Sequence, residues 1–183
     1  MARDGSHEVA GGESLTASPD SGPENDMPGT IEAIYVAARA REEQESLERV
    51  ELVAGAGILG DRNYREAPPQ PGTNLTLIEA EEIERFNASH GARAPLYATR
   101  RNIVTRGIRL NDLVGKDFMI GGVRAHGVEL CEPCRILGRN LATPSVDIAG
   151  VVRAFVHRAG LRADVLSSGD VRVGDPIVAT AQR

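Results

Sequence analysis

The sequence contains no tryptophan, and aromatic residues make up only 3% of its 183 residues, so any core must be built from Val, Ile, Leu and Ala. No stretch approaches the roughly 18 consecutive apolar residues that a membrane helix needs. The opening residues, MARDGSHEVAGGESL, lack the basic start and apolar run of a secretory signal. Two cysteines are too few for a disulfide scaffold. These absences predict a cytoplasmic globular protein without a membrane partner.

Lysine is almost missing as well, because only Lys116 among the 21 basic residues is a lysine. Enzymes that use pyridoxal phosphate form a Schiff base with a lysine. Lys116 lies in the turn-like stretch LVGKDF, and we therefore expect no pyridoxal phosphate on this chain. The arginines instead offer planar forks that suit phosphates and carboxylates.

Charge is distributed unevenly along the chain. Residues 1–27 hold six acidic residues and one basic residue, without apolar periodicity, and we predict that residues 1–29 form a disordered acidic tail. Residues 98–183 carry 13 basic and 8 acidic residues. This positive excess indicates an anionic ligand, but it falls short of the footprint that a long nucleic acid usually requires, so no nucleic-acid partner is expected.

Residues 30–183 are predicted to form one domain of short strands and few helices. Strands are expected in TIEAIYVAA, SLERVELV, NLTLIEA, NIVTRGI, KDFMIGG, VRAHGVEL and DPIVATA. EAEEIERFNASHG predicts a helix that stops at Gly91, AGVVRAFVHRAG a short helix that ends at Gly160, and RADVLSSGDVRVGD a hairpin. Because βαβ spacing is absent, the pattern favours a mainly β fold: a closed or nearly closed antiparallel β-barrel with a few peripheral helices.

The two cysteines, Cys131 and Cys134, form the C-x-x-C motif of GVELCEPCRILGRN. A zinc site would need His126 and His157 as further ligands, a dithiol redox pair would need a βαβ frame, and two buried cysteines would simply be small hydrophobes. The remaining interpretation is a single reactive thiolate at Cys134. It is favoured if CRILGRN starts a helix there, because a helix N-terminus and nearby arginines stabilise the thiolate that attacks electrophiles and binds metals.

A second group of candidates lies in YATRRNIVTRG. If a strand begins at Arg100, its alternation places Arg100 and Asn102 on one face and Arg101 on the other. A guanidinium beside a carboxamide suits a phosphate and the hydrogen-bonding edge of a heterocycle, whereas the alternative is a solvated strand end with ion pairs. Arg158 and Arg162 in HRAGLRAD either serve the same anion or face solvent.

Taken together, RRNIVTRGIRLNDLVGKDFMIGGVRAHGVELCEPCRILGRNL and HRAGLRADVLSSGDVRVGDPI resemble the MOSC domain. This domain is the C-terminal module of molybdenum cofactor sulfurases, and it also occurs in stand-alone bacterial proteins and in amidoxime-reducing enzymes. The resemblance covers about residues 30–180 and is most specific in RRNIV, ELCEPC and GDVRVGD. The loop GILGDRNY also resembles a Gly-Asp loop of the stand-alone members, with Asn63 in place of the expected histidine.

The resemblance implies a MOSC-like β-barrel and a site for the molybdenum cofactor, molybdopterin. Cys134 matches the cysteine that ligates molybdenum in metal-bearing relatives and that carries sulfane sulfur in sulfur-carrier proposals. Arg100 and Asn102 match residues that contact the pterin and its phosphate. Glu132 and Pro133 directly precede the cysteine, where the backbone lines the site.

The implied activity is that of an oxidoreductase acting on small N-hydroxylated or oxo substrates. Cys134 is expected to be both the catalytic residue and the metal ligand, Arg158 to help hold the cofactor, and a separate protein to donate electrons. The alternative is a carrier of sulfur or of cofactor, with a persulfide on Cys134, a separate sulfurase protein as partner and no turnover of its own. A third interpretation is a regulatory domain switched by a disulfide between Cys131 and Cys134.

Overall fold

The computed structural model describes residues 28–66 and 70–180. The predicted acidic tail lies outside the described residues as far as residue 27, and its last residue, Gly29, already belongs to the first strand. The strands are β1 (Gly29–Val36), β2 (Glu45–Leu47), β3 (Arg49–Val53), β4 (Gly57–Ile58), β5 (Leu75–Glu79), β6 (Ile103–Arg106), β7 (Asp117–Ile120), β8 (Val123–Leu130), β9 (Leu161–Val165), β10 (Gly169–Arg172) and β11 (Pro176–Ala179). The α-helices are α1 (Ala80–His90), α2 (Arg135–Leu141) and α3 (Ile148–Ala154), and Leu96–Thr99 and Leu110–Leu113 are 3-10 helices.

Seven strands close into a barrel in the order β1, β11, β7, β8, β9, β5, β6, and β2 is attached to β1 as an eighth strand. The closing pair joins Gly29 to Ile177. Every pair around the barrel is antiparallel except β5 and β6, which are parallel because α1 and the first 3-10 helix form the crossover between them. The predicted mainly β barrel with a few peripheral helices is confirmed, with one parallel pair added.

A second sheet consists of β3, β4 and β10. The predicted strand SLERVELV divides at Glu48, so that β2 joins the barrel and β3 joins this sheet. The predicted hairpin in RADVLSSGDVRVGD is wrong, because β9 pairs with β5 and β8 whereas β10 pairs with β3. The packing explains the outcome: Val171 of β10 is opposite Val50, and both side chains join the buried cluster inside the barrel.

Successive residues of the barrel strands serve two separate cores. Leu77 and Ile103 point into the barrel, whereas their neighbours Ile78 and Val104 point outwards, as strand alternation requires. The outward side chains pack against apolar residues of the three helices, namely Ile83, Phe86, Leu137, Leu141, Val151 and Phe155. Because the interior is filled with apolar side chains, the binding surfaces of this barrel are on its outside.

The helices position the loops that carry the polar candidates. Helix α1 confirms the prediction, and Gly91 ends it in the left-handed region at φ 58°. Helix α3 ends at Ala154, earlier than expected, and a turn follows in which His157 has φ 58°. No helix in residues 28–66 and 70–180 is long and apolar enough to cross a membrane.

Candidate functional site

The two cysteines differ in exposure although three positions separate them. Cys131 is 5% exposed, and its N–H donates to the carbonyl of Gly160 at 2.7 Å. Cys134 is exposed and occupies the N-cap of α2, where its side chain caps no backbone N–H. Both thiols are free. The expected helix start at Arg135 is confirmed, and the buried interpretation fits Cys131 but not Cys134.

Glu132 anchors the cysteine loop to the turn after α3. Its carboxylate accepts the backbone N–H of His157 at 3.2 Å and lies 2.7 Å from the imidazole Nδ1. Asn111 holds the same turn by donating to the His157 carbonyl at 3.0 Å. Burial by itself would raise the pKa of Glu132, but the hydrogen bonds from His157 lower it below its usual range. These hydrogen bonds therefore fix the loop that ends in the half-buried Pro133 and in Cys134.

The structure separates the residues that the zinc interpretation would combine. His126 lies 2.8 Å from Asp117 through Nδ1, while His157 is paired with Glu132. Within the described ranges, no three His, Cys, Asp or Glu side chains are grouped so that they could hold a metal ion. A metal bound at Cys134 would therefore depend on a cofactor for most of its other ligands.

Arg100 lies at the edge of a cavity of about 460 Å³. It ends the 3-10 helix Leu96–Thr99 with φ 61°, and its Nη1 donates to the carbonyl of Glu42 at 2.8 Å. Its Nη2 is buried and has no hydrogen-bond partner among the described residues. The remaining lining residues are Glu43, Gln44, Tyr97, Ala98 and Asn140. Arg100 thus lines the cavity with a guanidinium that has one N–H group without an acceptor among the described residues.

The sequence prediction placed Asn102 on the same face as Arg100 by strand alternation, and that premise is wrong. The strand begins only at Ile103, and the left-handed backbone at Arg100 breaks the alternation that the prediction assumed. The Asn102 side chain is 1% exposed and donates to Asp61 Oδ2 at 3.2 Å and to the Tyr35 carbonyl at 3.3 Å. The structure therefore gives Asn102 a role in holding the Asp61 loop.

Two further arginines of this region, Arg62 and Arg101, were given no role from the sequence. Arg62 donates to the carbonyl of Arg100 at 3.1 Å, and burial lowers its pKa despite the neighbouring Asp61, with a further decrease from the charge of Arg100. Arg101 is 9% exposed and donates to the carbonyls of Ala159 at 3.0 Å and Thr99 at 3.3 Å. Its Nη2 is buried without a partner among the described residues.

Arg101 also lies beside the cysteine loop, because it bonds to Ala159 while Cys131 bonds to the next residue, Gly160. A signal for these cations was present in the sequence. Residues 85–111 contain six arginines and no acidic residue. Apart from Arg85, which pairs with Glu82 three positions earlier, the arginines of this stretch have to find their counter-charges elsewhere in the chain or in a ligand.

Arg158 is placed on a different surface from Arg100. Its Nη1 donates to Glu82 of α1 at 2.9 Å, and Arg85 donates to the other oxygen of the same carboxylate at 2.7 Å. Glu82 lines another cavity, of about 710 Å³. The guanidinium of Arg158 is thus already paired, in contrast to that of Arg100.

The arrangement suits an elongated anionic ligand. Asp61 pairs with Arg62, and Glu43 lines the cavity at Arg100, but neither Arg100 nor Arg101 forms an ion pair with a described carboxylate. Burying unpaired donors is costly unless a ligand satisfies them. Helix α2 links the two ends of the site, since Asn140 donates to Ala98 at 3.1 Å near Arg100 while Cys134 caps the opposite end. At 1.5 Å of rise per residue, these ends lie roughly 9 Å apart along the helix axis.

Comparisons with known proteins agree on a family and a fold. Residues 69–178 match the family model of the MOSC domain. The structure of the YuaD protein of Bacillus subtilis superimposes with a TM-score of 0.73 at 19% identity, over 85% of this chain and 98% of that chain. YiiM of Geobacillus stearothermophilus gives a TM-score of 0.66 at 14% identity over 84% and 76%, and YiiM of Escherichia coli 0.61 at 15% over 86% and 71%. At these identities the likeness shows the fold alone, and no curated protein matches the sequence.

Proposed function

Because this chain belongs to the MOSC domain family, we propose that it binds the molybdenum cofactor, molybdopterin, along α2 between Cys134 and Arg100. We further propose that it is an oxidoreductase acting on small N-hydroxylated or oxo compounds. One observation carries the proposal: an exposed thiol caps one end of α2, and the other end lies beside Arg100, whose guanidinium, like that of Arg101, forms no ion pair with a described carboxylate. These two features match the two ends of a cofactor that carries a metal at one end and a phosphate at the other.

The residues present fit such a group. The thiolate of Cys134 would supply one sulfur ligand to the metal, and Glu132 and Pro133 would hold the loop that presents it. The free Nη2 of Arg100 would donate to the phosphate, with Arg62 adding positive potential behind it. Charge-assisted bonds of this kind are the strong ones in proteins.

Three other residues would support the site without direct contact. Arg101 would stabilise the cysteine loop and the bound negative charge, because its guanidinium is buried beside that loop. Asn102 would fix the Asp61 loop, and Arg158, paired with Glu82, would contribute positive potential.

When bound, the cofactor would supply a metal centre that exchanges oxygen atoms and electron pairs with a substrate. The chain itself would bind and orient it through Cys134 and Arg100. The exposed position of Cys134 leaves room for a small substrate and for approach by a separate electron-donor protein.

Metal and pterin analysis tests the proposal. The protein is produced in cells with an intact cofactor pathway, as wild type, Cys134→Ala and the matched control Cys131→Ala. We expect close to one molybdenum and one pterin per chain in wild type and in Cys131→Ala, and background levels in Cys134→Ala. Wild type at background, or equal content in all three proteins, would contradict the proposal.

The second candidate function is a carrier without turnover. It is favoured by the exposure of Cys134 and by the lack, in the described ranges, of any group of three His, Cys, Asp or Glu side chains that could hold a metal ion without a cofactor. Cys134 would then hold a persulfide delivered by a separate sulfurase protein. Mass spectrometry of the native protein distinguishes the two: an added mass of one sulfur atom confined to Cys134, without molybdenum, supports the carrier.

A further inference from the structure

The cavity of about 710 Å³ is distinct from the surface between Cys134 and Arg100. It lies between the first turn of α1, the 3-10 helix Leu110–Leu113 and β11. Its walls combine apolar side chains with carboxylates, namely Ile108, Leu113, Ile177, Val178, Glu79, Glu81, Glu82 and Asp112, and Arg109 is the one basic lining residue. The proposed function uses none of these residues as ligands.

Two of the carboxylates have one oxygen engaged and one oxygen free. Glu79 accepts the N–H of Leu110 at 2.8 Å, and Glu81 accepts the N–H of Gly107 at 2.7 Å, so each residue fixes the loop that follows β6. The second oxygen of Glu81 is buried without a partner, and within the described residues nothing donates to the second oxygen of Glu79. Glu79 is only 5% exposed as a whole, but its second oxygen is not fully buried, so a ligand in the cavity can reach it.

Among the described residues, the carboxylates that line this cavity outnumber its one basic lining residue, Arg109. Burial raises the pKa of Glu79, and the charges of Glu82 and Glu81 raise it further, against the opposing effects of the Leu110 N–H and of Arg109. Glu82 is neutralised by Arg85 and Arg158 and needs no further partner. Glu79 and Glu81 are therefore the carboxylates of α1 and its N-cap in this cavity that have no cationic partner among the described residues.

The walls favour an organic cation over a metal ion. No three carboxylate, His or Cys groups of the described residues come close enough to hold a metal. The apolar side chains of Ile108 and Ile177 would instead cover a hydrocarbon stem. We propose that this cavity binds a guanidinium group on a short apolar stem, whose planar N–H groups donate to the free oxygen of Glu79, with the negative charge of Glu81 beside it.

Isothermal titration calorimetry of the full-length, cofactor-free protein tests this site independently of the proposed function. The probe is butylguanidinium, compared with the bare guanidinium ion, butyrate and magnesium chloride. We expect butylguanidinium to bind, the bare ion to bind more weakly because it lacks the stem, and butyrate and magnesium to give no saturable heat. Absence of butylguanidinium binding, or equal binding of butyrate, would overturn the proposal.

Charge-removing variants locate the site. Glu79→Gln keeps an oxygen for the Leu110 N–H but removes the charge, and we expect roughly tenfold weaker binding, the size of one charge-assisted hydrogen bond. Glu81→Gln should act in the same direction and serves as the second test if Glu79→Gln does not fold. Glu51→Gln, exposed on β3, is the matched control and should bind as wild type does. If both single variants, Glu79→Gln and Glu81→Gln, bind butylguanidinium with the wild-type affinity, the assignment of the site is refuted.

Discussion

Arginines of one short segment meet opposite environments. Arg106 at the end of β6 is bound by the carboxylates of Glu32 and Glu84, which raise its pKa above its ordinary value. Arg100 and Arg101, just before the same strand, bond only to backbone carbonyls, and each keeps a buried Nη2 without a partner in the described part of the chain. The chain neutralises Arg106 with its own carboxylates, whereas Arg100 and Arg101 would be neutralised by the proposed anionic cofactor.

We expect the largest effect from Gly160→Ala. This substitution alters the turn whose carbonyls accept hydrogen bonds from Arg101, at Ala159, and from the Cys131 N–H, at Gly160. Gly160 has φ 106°, and a Cβ there would lie 1.9 Å from the carbonyl oxygen of Leu77. Backbone strain and this clash together should lower the free energy of unfolding by at least about 3 kcal/mol. The control is Gly174→Ala, where φ is 89° but no atom lies within 4 Å, and about 1–2 kcal/mol of strain is expected. Urea unfolding measures both, and equal losses would count against the account.

Arg100→Gln tests whether the guanidinium of Arg100 binds an external anion. Removing the unpaired guanidinium should weaken binding of inorganic phosphate to the cofactor-free protein by about tenfold, because a charge-assisted bond is lost. Calorimetric titration with phosphate measures the change. Arg106→Gln is the matched control and should bind phosphate as wild type does. An equal loss of phosphate affinity in Arg106→Gln would contradict the different roles assigned to Arg100 and Arg106.

Arg106→Gln should instead affect stability. The Arg106 side chain is 41% exposed and Glu84 57%, so solvent screens both ion pairs. We expect the free energy of unfolding to fall by up to about 1 kcal/mol, and by less at high salt. Urea unfolding of both variants measures the two losses in the free energy of unfolding. A larger loss for Arg100→Gln than for Arg106→Gln would contradict our assignment of Arg106 as the arginine that stabilises the fold.

The smallest expected effect concerns Glu132, the carboxylate that holds the cysteine loop. Its lowered pKa means that the ionised form stabilises the fold above the unfolded-state pKa of about 4.3, and that this contribution is lost as the pH falls through the lower folded-state value. The melting temperature of wild type should therefore exceed that of Glu132→Gln near pH 6, and the difference should shrink below about pH 4. A difference that grows on acidification would contradict this sign.

Much of the fold could be predicted from local pattern, since Val123–Leu130 and α1 follow directly from alternation and from the glycine stop. Local pattern could not predict the sheet to which each strand belongs. The stretch SLERVELV has one continuous alternation, yet it divides between two sheets because the partners of β2 and β3 lie far apart along the chain. Long-range pairing of this kind has no signature in a single sequence.

The candidate site shows the same division. The helix start at Cys134 is local and was predictable from CRILGRN. The placement of Arg100 and Asn102 was not, because alternation holds only inside a strand and Arg100 has a left-handed backbone. The role proposed for Arg101 depends on its hydrogen bond to Ala159, a contact across more than fifty positions of the chain, which local pattern cannot predict.

The molybdenum content of wild type, Arg100→Gln and Arg106→Gln, produced together with an intact cofactor pathway, tests the central claim most directly. The account predicts close to one molybdenum per chain in wild type and in Arg106→Gln, and a marked loss in Arg100→Gln. Retention in Arg100→Gln, or loss in Arg106→Gln to the same extent, would show that the unpaired guanidinium does not hold the cofactor.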